Sequence, residues 1–129
     1  MTRTALILVA SAAALALGAC QKRVTPPNDP GVCYHVVPNK DGSLKFNRLV
    51  ANVPDLEHCA ANLEAMRIKF LRMGGSNREI TGAYQGAFIF IQREGVFVAP
   101  SLQEHPYLAL VRTGDGRLAI PGAVQQPPQ

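Results

Sequence analysis

An α+β fold is predicted: an antiparallel sheet of about six to seven strands with one amphipathic helix packed on one face, a two-layer sandwich. Three observations lead there. Two strand-like runs separated by turn residues come first, and a single apolar stripe at helical spacing follows. A series of short β-rich runs, punctuated by glycine turns, completes the pattern.

The elements follow in order. Val32 to Val37 and Ser43 to Val50 read as strands, and Pro38-Asn39-Lys40-Asp41-Gly42 between them carries hairpin-turn chemistry. Pro54 suits the first position of a helix, where its missing N–H costs nothing, and Asp55 and Glu57 suit the positive end of the helix dipole. Leu56, Cys59, Leu63, Met66, Phe70 and Met73 then recur at alternating intervals of three and four, one apolar stripe. Gly74-Gly75 is expected to stop the helix. Five strands are expected beyond it, at about Glu79–Tyr84, Ala87–Gln92, Val96–Ala99, Tyr107–Arg112 and Arg117–Ile120. Arg93-Glu94-Gly95 and Gly114-Asp115-Gly116 supply tight turns.

The sheet raises a question of cover. Neighbouring side chains of a strand point to opposite faces, so Ala87-Phe88-Ile89-Phe90-Ile91 is apolar on both. Leu108 to Val111 and Val96 to Val98 behave alike. One helix covers one face. Either the sheet curls with Phe88 and Phe90 in its own core, or these two residues form an interface with a protein partner or a second copy.

Upstream of this domain, Arg3 precedes an unbroken run of apolar and small residues from Ala5 to Leu17. That run is of signal-peptide length and too short to cross a bilayer, which takes roughly 20 apolar residues. It closes on Leu17-Gly18-Ala19-Cys20. This tetrapeptide resembles the lipobox of bacterial lipoproteins, and the resemblance covers the first twenty residues. It implies diacylglycerol on the Cys20 thiol, cleavage before Cys20 and acylation of the new amine. The competing reading is ordinary secretion with cleavage after Ala14-Leu15-Ala16, which would leave Cys20 idle. The lipoprotein reading divides the chain into a signal peptide (1–19), a lipidated cysteine with a flexible linker (20–31), a globular domain (32–124) and a disordered tail (125–129). Gln21 resembles the residue that follows the cysteine in outer-membrane lipoproteins, so the expected address is the envelope, facing the periplasm, with the outer membrane favoured.

Cysteine arithmetic agrees with this reading. Three cysteines leave one unpaired in an oxidising compartment. With Cys20 assigned to lipid, Cys33 and Cys59 remain as one disulfide, pinning the helix to the first strand. Closing that loop stabilises the fold by roughly 3–4 kcal/mol in the chain-entropy account. Lys22 and Arg23, next to the anchor, can attract anionic headgroups at about 1 kcal/mol each. Loss of Arg3 with the signal leaves twelve basic and nine acidic side chains, a net of +3 that is too diffuse to indicate nucleic acid.

Candidate chemistry is sparse. His35, His58 and His105 pair with no other ligand at metal-binding spacing, although the disulfide would draw His35 and His58 into one neighbourhood. Ser76 and Ser101 lie in loop contexts without a nucleophile elbow. Gly74-Gly75-Ser76-Asn77-Arg78 follows a helix instead of opening one and is no phosphate loop. Neither cofactor nor metal is expected. Arg67, Lys69, Arg72 and Arg78 form a basic group at the helix end, either a solvated complement to the dipole or a contact for anionic envelope material. The favoured function is a non-enzymatic, membrane-anchored accessory or interaction module. The alternatives are a small periplasmic enzyme with a histidine base, and a module binding anionic envelope ligands.

Overall fold

The computed structural model describes residues 23–122. Cys20, the signal segment and the 125–129 tail lie outside the described residues. Seven strands and one helix follow in the order β1 (Cys33–Pro38), β2 (Leu44–Val50), α1 (Leu56–Arg72), β3 (Ile80–Tyr84), β4 (Ala87–Ile91), β5 (Val96–Ala99), β6 (Tyr107–Arg112) and β7 (Leu118–Ala119). They form one sheet of order β2-β1-β3-β4-β5-β6-β7, antiparallel throughout. The expected α+β sheet with one helix on a face is what the structure contains.

Local chemistry sets the helix ends. Asp55 is the N-cap, its Oδ1 accepting the His58 backbone N–H at 2.8 Å. Pro54 therefore stands one residue before the cap, not at the first helical position. At the other end Gly74 takes φ +87°, and its N–H reaches the Leu71 carbonyl while Gly75 N–H reaches that of Phe70. This pair of bonds is a Schellman closure, which a left-handed glycine makes at no steric cost.

The helix packs on the sheet face that carries Cys33, Ile80, Ile89, Ile91, Val96 and Leu110, all buried with Cys59 and Leu63 in one core. Gly82 permits the close approach. A Cβ there would lie 2.9 Å from both a Leu63 methyl and the Tyr34 carbonyl oxygen. The expected stripe is only half right. Cys59 and Leu63 are buried and Leu56 and Met66 pack against the same core, but Phe70 is 43% exposed and Met73 66%. Ala60 and Glu64 are buried in their stead.

The opposite face is covered by curling. Val32, Tyr34, Val36, Ala83 and Phe88 form a second buried cluster, with Leu44, Phe46 and Phe90 packed against it. Phe46 on β2 and Phe88 on β4 have ring centroids 6.2 Å apart. Three strand spacings separate them in the sheet, about 14 Å if it were flat. The sheet is therefore concave here, and aromatic rings fill the hollow. Residues 23–31, expected to serve as linker, run beside this cluster. Pro26 is buried, Asp29 accepts the Tyr34 hydroxyl at 2.5 Å, and Gly86 N–H reaches the Pro27 carbonyl.

Candidate functional site: an arginine-walled depression

Cys33 and Cys59 are joined, with Cα atoms 5.4 Å apart and both residues wholly buried. The bond does not bring the two nearby imidazoles together. His58 sits in the first helical turn with Nδ1 2.6 Å from Asp55 Oδ1. His35 lines a groove of about 420 Å³ under the other end of the helix, with Phe70, Ser76, Glu79 and Thr81. Burial lowers the His35 pKa, which favours the neutral ring. His105 is exposed in the loop before β6. No group of three His, Cys, Asp or Glu side chains that could hold a metal ion occurs among the described residues. Ser101 is buried, and its hydroxyl has no partner among them.

The candidate interface needs correction. Phe88 has no exposed surface, and Phe90 is half-buried against the same cluster. The hollow that the sheet makes for itself takes up Phe88. Exposed apolar side chains stand elsewhere, at Phe70, Met73, Tyr107, Leu108 and Ile120.

The basic group also divides. Lys69 and Arg72 are exposed and stand apart. Arg67 and Arg78 instead line an open depression of about 400 Å³ with Leu71, Arg93 and Arg112. Three parts of the fold build it: the second half of α1 (Arg67, Leu71), the β4–β5 turn (Arg93) and the end of β6 (Arg112), with Arg78 entering just before β3. Sequence reasoning missed Arg93 and Arg112, which are distant along the chain and join no basic run.

Glu64 organises the wall. Its residue is 4% exposed and takes two guanidinium forks. Arg67 donates from Nε and Nη2, both at 2.8 Å. Arg112 donates from Nε at 2.8 Å and Nη2 at 3.1 Å, while its Nη1 reaches the carbonyls of Gln92 and Arg93. Burial pushes the Glu64 carboxyl up, but the bonds from Arg67 and then Arg112 outweigh it and hold the group at about 2. The same contact raises Arg67 above the usual guanidinium range. Such forks fix the planes of both guanidiniums, which lone surface arginines do not achieve. Arg78 and Arg93 form none of the ion pairs found among the described residues. Four arginines thus face one depression with Glu64 as their paired carboxylate, leaving three positive charges in excess. Beyond the basic group that held Arg67 and Arg78, a lone Glu64-x-x-Arg67 spacing was the sequence signal of the carboxylate's part in it.

Among known proteins, no family model, no curated protein and no solved structure matches this chain.

Proposed function

We infer that the protein is a bacterial envelope lipoprotein: a disulfide-stapled, non-enzymatic interaction module held at a membrane by acyl chains on Cys20. The observation that carries this is the cysteine pairing. Cys33 and Cys59 are bonded to each other, so Cys20, at the end of the lipobox-like tetrapeptide, is the one cysteine left for another role. An oxidised pair also suits a protein that has left the cytoplasm. No helix among the described residues is long and apolar enough to cross a membrane, so attachment would rest on the lipid.

Chain geometry adds a consequence. Val24 N–H donates to Gln103 Oε1 at 3.3 Å, four residues beyond Cys20. Four extended residues reach about 14 Å at most. An anchor at Cys20 would keep the β5–β6 loop close to the bilayer, and the domain would have little freedom to roam. Two acyl chains or more are needed for stable attachment, which the implied modification supplies.

Intact-mass analysis of the membrane-extracted protein tests the reading. The expected result is a mass lacking residues 1–19 and carrying acyl groups, with a Cys20→Ser precursor left unprocessed. An unmodified mass beginning after Ala16 would replace it with simple secretion.

A further inference from the structure

We propose that the depression walled by Arg67, Arg78, Arg93 and Arg112 is a binding site for a phosphoryl group. This inference is independent of the anchoring reading, since it uses only residues of the folded domain.

Charge comes first. With Glu64 paired to Arg67 and Arg112, the site keeps an excess of three positive charges. A monoanion would leave most of that excess in place, whereas a phosphate monoester or diphosphate neutralises more of it. Geometry comes second. Arg67 keeps Nη1 unengaged after its two bonds to Glu64, and Arg78 and Arg93 have whole forks to offer. These side chains reach the depression from the helix, from the segment before β3 and from the β4–β5 turn, and carbon atoms make up most of the surface they give it. Guanidinium forks arriving from separate elements suit a tetrahedral anion with oxygens on several sides. A planar carboxylate would engage fewer of them.

Preorganisation comes third. Arg112 is held by Glu64 and by two backbone carbonyls, so it is a fixed wall of the site and no mobile arm. Arg67 is fixed by the same carboxylate. The ordering cost of these two side chains is therefore already met by the fold, while that of Arg78 and Arg93 falls due on binding. The volume of about 400 Å³ accommodates a phosphoryl group with part of its attached carrier, and Leu71 offers that carrier an apolar wall.

The test uses the full chain carrying Cys20→Ser, titrated calorimetrically with inorganic phosphate and with pyrophosphate at constant ionic strength. Saturable binding is expected, tighter for pyrophosphate than for the dicarboxylate malonate. The double substitution Arg78→Gln and Arg93→Gln should weaken it by about tenfold or more. Lys69→Gln with Arg72→Gln should leave it unchanged. Neither Arg78 nor Arg93 is tied into the fold, so a melting curve equal to the parent's is expected for the double variant. Each single variant serves as a check should the double one misfold. In a second arm, flotation with phosphatidylglycerol vesicles against phosphatidylcholine vesicles locates the source. Capture by the anionic vesicles that depends on Arg78 and Arg93, without uptake of free phosphate, assigns a lipid headgroup. Uptake of free pyrophosphate without vesicle capture assigns a soluble phosphoryl ligand. Equal affinity for malonate, indifference to Arg78 and Arg93, or no binding in either arm would overturn the proposal.

Discussion

Glu64 and Arg112, 48 positions apart in sequence, are joined by two hydrogen bonds that lock the end of β6 to the middle of α1. With Arg67 completing the triad, this is the polar counterpart of the disulfide nearer the helix N-terminus. Removing the carboxylate strands two partly buried guanidiniums, and breaking buried pairs in this way costs roughly 3 kcal/mol. Glu64→Gln should lower stability by about that amount in denaturant titration.

The same triad sets an acid dependence. Glu64 is held at about 2, below its ordinary 4.5. A carboxyl held low contributes its full stabilisation above pH 4.5 and loses it as pH falls from 4.5 towards 2. The melting temperature of the parent should decline through that window more steeply than that of Glu64→Gln. Parallel curves would show that the triad does not govern acid stability.

Gly82→Ala separates packing from propensity. Within a strand, alanine in place of glycine ordinarily stabilises by about 0.5–1 kcal/mol. Here the new methyl meets Leu63 and the Tyr34 carbonyl, and overpacking of that sort costs about 1–3 kcal/mol. A net loss is expected by thermal or chemical denaturation. A gain would mean that the helix stands off the sheet.

Phe88 and Phe70 give opposite expectations for the same substitution. Truncating fully buried Phe88 to alanine should cost about 3–5 kcal/mol. Truncating Phe70, 43% exposed over the groove by His35, should cost about 1–2 kcal/mol. Equal losses in urea melts would place the concave face out in solvent.

Reduction of the Cys33–Cys59 bond should cost roughly 3 kcal/mol. Both sulfur-bearing residues are wholly buried, so alkylation after mild reductant should need denaturant to proceed. Ready labelling of the native chain would contradict that burial.

What the residues revealed in advance, and what they hid, follows from the range of each interaction. The helix was legible because a 3.6-residue stripe and acidic residues at its start are local, written in Cys59 to Leu63 and in Asp55 and Glu57, although Asp55 turned out to be the cap itself. Its exposed end was not, since how closely the sheet covers Phe70 and Met73 depends on strands distant in the chain. Doubly apolar β4 announced that both sheet faces need cover. Only the approach of Phe46 to Phe88 decided in favour of curling. The arginine wall was half visible. Arg67 and Arg78 stood in a basic run, whereas Arg93 and Arg112 reach it through strand order, which no short-range pattern encodes.

The two margins of the sheet have a consequence for crowding. On one side β7 is two residues long, and on the other β2 exposes Lys45 and Arg48 along its length. A stubby border and a cationic one both discourage a neighbouring copy from adding its own strand. Molecules of this protein packed densely together should stay separate particles, not zip into ribbons, and any pairing between copies would have to use their flanks.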